Sequence, residues 1–160
     1  MKTLALLLIL AAAHGRPAPA WKSVAIPGVQ QAWVCDRRPG HMLTVIDDVA
    51  PNPLGFYGST PQDIASGLSA FRRLTLEHLG FSEWKLEKFA YSKNGGEETV
   101  EMSGSYRRPD SVAVRFFEVQ KYSGRKFRQA SYMMEAQAKH KEPKDVERLL
   151  TRAMNGEGPQ

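Results

Sequence analysis

Cysteine is scarce in this sequence of 160 residues, which contains only one, Cys35. A single cysteine cannot form an internal disulfide, so the fold must depend on its hydrophobic core. A chain of this length can bury such a core, and it is shorter than the chains that usually split into two domains with separate cores. We therefore expect one domain over residues 21–156, followed by a frayed tail at 157–160.

Positively charged residues slightly outnumber negatively charged ones. The chain has 22 Lys and Arg against 17 Asp and Glu, a formal charge of +5. This excess is too modest and too mixed in sign for a nucleic-acid-binding arm, so no nucleic-acid partner is expected.

Long apolar runs are also scarce, and the clearest one covers residues 4–13. It follows Lys2 and precedes small residues, which is the three-part pattern of a secretory signal. A membrane span needs about 20 apolar residues, so this run is too short for an anchor. The sequence predicts a signal peptide in residues 1–20, cleaved after Gly15 or Ala20. We expect a periplasmic or secreted protein with no transmembrane segment in its mature chain.

Motifs of the common enzyme and cofactor classes are missing. The sequence has no HExxH or CxxC metal pattern and no GxGxxG, P-loop or GxSxG motif. We therefore expect no metal, no cofactor and no enzymatic activity. One catalytic alternative stays open, a small secreted hydrolase that uses Cys35 with His41. Cys35 follows the apolar residues 32–34, however, which is typical of a buried thiol.

Turn signals divide the remaining chain into strands and helices. Two opening strands precede a loop at 50–59, which two proline and two glycine residues keep irregular. A helix is predicted from Pro61 to Leu79, and a second helix opens at 142–145 and stops at Gly156. Between the helices, four strands form an antiparallel meander over 84–92, 97–107, 112–122 and 126–136.

The first predicted helix carries apolar residues at spacings of three and four. This spacing places them on one face of a helix with 3.6 residues per turn. We therefore expect that face to pack against the sheet, with Phe71 in the core. The members of the stripe are Ile64, Leu68, Phe71, Thr75 and Leu79.

Four segments mark the order of elements: 42–46 before the loop, Pro61 at the helix start, 130–134 ending the meander, and 146–150 closing the chain. This order resembles the PsbP/Mog1-like fold, an α+β fold with an antiparallel sheet flanked by helices. The sequence lacks a Phe-x-x-Pro-x-x-Trp opening, and cystatin-like and NTF2-like folds are the alternatives. The resemblance implies a non-enzymatic accessory or adaptor protein that binds another envelope or secreted protein.

Two regions are candidates for partner binding. The first is the apolar loop, with Leu54, Phe56 and Tyr57, whose aromatics either contact a partner or fold back onto the core. The second is a basic sheet face, which offers an alternative function, the binding of an anionic lipid head group or glycan. A solvated face paired with Glu97, Glu98 and Glu101 is the competing interpretation. The basic residues are Arg107, Arg108, Arg115, Lys121, Arg125, Lys126 and Arg128.

Overall fold

The computed structural model describes residues 21–52, 54–136 and 145–160. The predicted signal peptide at 1–20 lies outside the described residues, as do residues 142–144 at the expected start of the second helix. The described elements are β1 Trp21–Val24, β2 Gln31–Cys35, β3 His41–Val49, α1 Pro61–His78, β4 Ser82–Asn94, β5 Glu97–Arg107, β6 Ala113–Ser123, β7 Lys126–Glu135 and α2 Val146–Met154.

The seven strands form one antiparallel sheet in the order β1-β2-β3-β7-β6-β5-β4. The predicted α+β class and the four-stranded meander are confirmed. The opening contains three strands instead of two, because the chain reverses between β1 and β2 at Gly28, which has a φ of 77°. Glycine adopts this backbone conformation without the steric cost that a Cβ brings.

The two helices pack on opposite faces of the sheet. Leu149 of α2 shares a buried cluster with Leu43 and Tyr132, while Ile64 of α1 shares a second cluster with Met102 and Phe116. Alternation along each strand explains the two clusters, since successive side chains point to opposite faces. The sheet is therefore buried on both sides over its central strands.

Phe116 and Phe117 lie in regular β-structure. At this pair the alternation of apolar and polar residues along β6 shifts by one position. The pairing of β6 with β5 and β7 runs through both residues without a shift in register. Phe116 belongs to the cluster under α1, and Phe117 packs against the cluster under α2. Burial on both faces accounts for the two adjacent phenylalanines, and no bulge is needed.

Helix α1 begins with a reciprocal cap. The Thr60 side chain accepts the backbone N–H of Asp63 at 3.2 Å, and Asp63 accepts the backbone N–H of Thr60 at 3.0 Å. Pro61 occupies the first turn, where its missing N–H costs nothing. The hydrogen bond from Thr60 lowers the pKa of Asp63, which suits a carboxylate near a helix N-terminus.

The predicted buried face of α1 is wrong in its orientation. Phe71 is 66% exposed and Leu79 is 60% exposed, and Thr75 is also exposed. The inward face runs instead through Ile64, Leu68, Arg72 and Leu76, a rotation of roughly 40° about the helix axis. The cause is an ion pair that draws Arg72 towards the sheet.

The tail at 157–160, which was expected to fray, contacts α2 and lies close to β2. Arg152 forms an ion pair with Glu157 at 3.3 Å, and its Nε donates to the carbonyl of Gly158 at 3.3 Å. A Cβ added at Gly158 would lie 3.7 Å from the ring of Trp33. These contacts place the start of the tail beside the end of α2 and the Trp33 ring of β2.

Candidate functional site

The apolar loop lies against the turn between β6 and β7, so the structure brings two of the predicted binding regions together. The backbone N–H of Leu54 donates to the carbonyl of Gly124 at 2.7 Å. Arg125 and Ala50 form two further hydrogen bonds. The Nε of Arg125 donates to the carbonyl of Ala50 at 2.8 Å, and the backbone N–H of Ala50 donates to the carbonyl of Arg125, also at 2.8 Å. Arg125 therefore holds the loop through a hydrogen bond, and it is also an exposed cation.

Phe56 folds back onto the meander and Tyr57 does not. The Phe56 ring packs edge-on to Tyr122 and Tyr91, with centroids 5.0 and 6.0 Å away. Tyr57 is 72% exposed, and the Nζ of Lys93 lies 5.9 Å from its ring centroid. Leu54 and Phe56 are half-buried, so of the three candidate residues in this loop only Tyr57 presents a large apolar surface to solvent.

Glu98 on β5 holds the loop in this position. Its Oε2 accepts the backbone N–H of Phe56 at 2.9 Å, and its Oε1 accepts from Tyr91 and Lys93, each at 3.0 Å. Burial raises the pKa of Glu98, but these three donors outweigh burial and leave the pKa below its ordinary value. The buried carboxylate is therefore ionised, and it connects the loop at Phe56 to β4 at Tyr91 and Lys93.

Exposed apolar surface is concentrated in the loop and α1. Of the large hydrophobic residues that are exposed in the described parts of the chain, all except Val49 lie between residues 57 and 79. Phe71 is 66% exposed and Leu74 is 62% exposed, and they are neighbours at a spacing of three on the helix. We call this stripe the outer face of α1; it contains Gly67, Ala70, Phe71, Leu74 and His78, all exposed.

Most of the predicted basic face is neutralised by acidic neighbours. Five of its members form ion pairs, and Arg125 is tied to the loop, which leaves Lys126 exposed at the start of β7. The face therefore does not form one continuous cationic patch. Of the expected acidic partners, Glu97 pairs with Lys121, whereas Glu98 pairs with Lys93 outside this face. The pairs are Arg107–Glu83 at 2.9 Å, Arg108–Asp110 at 2.7 Å, Arg115–Glu87 at 3.5 Å, Lys121–Glu97 at 3.0 Å and Arg128–Asp47 at 3.0 Å.

Cys35 and His41 flank the turn between β2 and β3, and both are buried, each 4% exposed. The Nδ1 of His41 lies 2.6 Å from the hydroxyl of Tyr132, whose pKa burial raises to about 12. This hydroxyl could orient an imidazole, but a nucleophile must also reach its substrate. The buried position of the thiol favours a packing role.

A polar network under α1 was not predicted from the sequence. The Glu118 carboxylate is 5% exposed and accepts from Arg72 and Gln120, each at 2.5 Å, from Gln129 at 3.0 Å and from Ser131 at 2.8 Å. One sequence signal was available: Arg72 stands four residues after Leu68 and four before Leu76. It therefore falls on the inward stripe.

Two general features of the described residues bear on function. No group of three or more His, Cys, Asp and Glu side chains in 21–52, 54–136 and 145–160 is placed to hold a metal ion. Over the same part of the chain, neither helix combines the length and apolarity needed to cross a bilayer.

No protein-family model and no curated protein sequence matches this chain. Among solved structures, it is similar to cyanobacterial PsbP (CyanoP) from Synechocystis sp. PCC 6803, with a TM-score of 0.53 and 16% identity over 72% of this chain and 70% of that one. A protein of unknown function from Pseudomonas aeruginosa, PA94, matches at a TM-score of 0.41 and 14% identity over 92% and 88% of the two chains. The match to CyanoP confirms the PsbP-like fold.

Proposed function

We propose that this chain is an exported, non-enzymatic accessory protein that binds another protein through the outer face of α1. The observation that carries the proposal is the exposure of Phe71 and Leu74, side by side on a regular helix. Small domains rarely leave adjacent large apolar side chains in water unless a partner covers them. Aromatic residues are also enriched among those that contribute most to protein–protein binding.

The outer face of α1 favours a protein partner over a charged ligand. Gly67 and Ala70 leave a shallow surface beside Phe71 and Leu74, onto which an apolar ridge of a partner can pack. Arg73 and Glu77 flank the stripe with opposite charges. Binding should therefore depend on apolar burial and change little with salt.

Site-specific photocrosslinking in cells of the source organism tests this proposal. A benzoylphenylalanine placed at Leu74 should give one discrete adduct with a second protein, and this adduct should disappear when Phe71→Ser is added. Placed at Val49, which is 63% exposed on β3, the same group provides a matched control and should give no such adduct. Equal adducts at both positions, or adducts that contain only a second copy of this chain, would contradict the proposal.

Export is tested separately, by the N-terminus of the protein recovered from the cell envelope or medium. The three-part pattern in residues 1–20 supports cleavage, so mass spectrometry should find a chain that starts at Arg16 or Trp21. Recovery of the protein with Met1 in place would contradict export by signal cleavage.

A further inference from the structure

A cleft of about 270 Å³ lies on the α1 face of the sheet, between α1 and the turn that joins β1 to β2. Its floor is formed by side chains of β3, β6 and β7. Its walls are largely apolar and include Ile26, Val29, Met42, Leu76, Trp84 and Met133. Concave, mostly apolar clefts with a few polar groups are the usual form of small-molecule sites.

Arg72 is the charged hydrogen-bond donor that lines this cleft. Both hydrogen bonds of its guanidinium come from Nη2, which donates to Glu118 at 2.5 Å and to Gln129 at 3.1 Å. Its Nε and Nη1 have no hydrogen-bond partner within the described residues, and the side chain is 29% exposed. A guanidinium fixed at one nitrogen thus retains N–H donors that an acceptor atom could use.

Glu118 cannot serve a ligand in the same way. Each oxygen of its carboxylate already accepts two hydrogen bonds, Oε1 from Arg72 and Gln120 and Oε2 from Gln129 and Ser131. Its negative charge is balanced by Arg72, and among the described residues these two are the charged ones that line the cleft. A ligand carboxylate would have to compete with Glu118 for the same guanidinium and would lie close to a like charge.

We propose that this cleft binds a small uncharged molecule with an apolar, aromatic or branched body and one carbonyl oxygen. The body would pack between Trp84, Leu76 and Met133, and the carbonyl oxygen would accept a hydrogen bond from Nε or Nη1 of Arg72. The volume lies just below the range of pockets that hold drug-sized ligands, which favours a compact molecule.

Three naphthalene probes of similar shape test the proposal: 2-acetylnaphthalene, which has a carbonyl, 2-ethylnaphthalene, which has no acceptor, and 2-naphthoate, which is charged. Binding is followed by NMR at the indole N–H of Trp84, which donates to Ser69 at 2.9 Å. The ketone should bind and shift this signal, and Val29→Trp, which fills the cleft, should abolish binding. Naphthoate should bind more weakly than the ketone.

The contribution of Arg72 is measured with a neutral double variant, Arg72→Met with Glu118→Gln. Relative to the hydrocarbon, the affinity for the ketone should fall about tenfold, the usual effect of losing one hydrogen bond to a charged donor. Arg73→Met on the exposed side of α1 is the matched control and should leave the ratio unchanged. If the double variant does not fold, the wild-type ranking and Val29→Trp still decide the question.

Three results would overturn the proposal. The first is no shift of the Trp84 signal by any probe up to its solubility limit. The second is binding that persists in Val29→Trp, which would place the probes elsewhere. The third is a wrong ranking of the probes. Either naphthoate binds more tightly than the ketone, or the ratio of ketone to hydrocarbon affinity is the same in the wild type and in the folded double variant. The outer face of α1 is not involved, so these outcomes do not affect the proposed protein partner.

Discussion

The Nη2 of Arg72 donates to the Oε1 of Glu118 at 2.5 Å, and this contact determines which side of α1 faces the sheet. With Arg72 turned inward, the residue before it, Phe71, lies about 100° round the helix from that contact and is 66% exposed. The ion pair with Glu118 and the exposed apolar stripe to which we assign partner binding are therefore two consequences of one helix orientation.

Phe71 should contribute little to the stability of the isolated protein. Phe71→Ala is expected to change the free energy of unfolding by less than about 1 kcal/mol, since it removes no buried contact. Ile64→Ala, on the inward side of the same helix, should cost about 2–5 kcal/mol. Urea unfolding followed by circular dichroism measures both variants. A large loss for Phe71→Ala would place that ring in the core.

Removal of Arg72 alone should be costly, because Glu118 would remain buried without its cation. Arg72→Met is expected to destabilise the fold by about 2–4 kcal/mol, towards the lower part of the range for broken buried pairs since Arg72 is partly exposed. The neutral double variant with Glu118→Gln should regain part of this loss. Equal stability of Arg72→Met and the exposed control Arg73→Met would show that the ion pair does not hold α1.

The anchor of the apolar loop should weaken in acid. The pKa of Glu98 is below its ordinary value when folded, so its carboxylate stabilises the fold above the unfolded pKa near 4.5. This stabilisation is lost as the pH falls through the lower, folded value. Glu98→Gln should therefore destabilise the protein at pH 7 and have a smaller effect at pH 3. Thermal unfolding at the two pH values gives the difference. An equal effect at both would exclude the carboxylate charge as the cause.

The basic face should not control partner binding. Arg125→Glu with Lys126→Glu is expected to leave the Leu74 crosslink intact, because the other five bases are already paired with acids. The same variant also tests the alternative function. Wild-type protein that sediments with vesicles containing anionic lipid at low salt, and is released by this double change, would favour an anionic-ligand role.

The strands and helices could be predicted from the sequence because their signals are local. Pro61 and Thr60 mark the start of α1, and alternation marks β5 and β6. Periodicity could not fix the orientation of α1, because it allows an inward stripe through Phe71 as well as one through Arg72. The deciding partner, Glu118, lies on a distant strand, and single-sequence patterns do not give such pairings. The cleft could not be predicted for the same reason, because β3, β6, β7 and α1, which are distant in sequence, form it together.

The outward position of Phe71 and Leu74 is tested most directly by thiol reactivity. The native Cys35 is buried and should react slowly with a thiol reagent, so it provides an internal reference. In the purified protein, Phe71→Cys and Leu74→Cys should each react at close to the rate of an unfolded thiol, while Ile64→Cys and Leu68→Cys should react far more slowly. Fast reaction at Ile64→Cys or Leu68→Cys, with protection at Phe71→Cys, would contradict the orientation of α1 and with it the proposed binding surface.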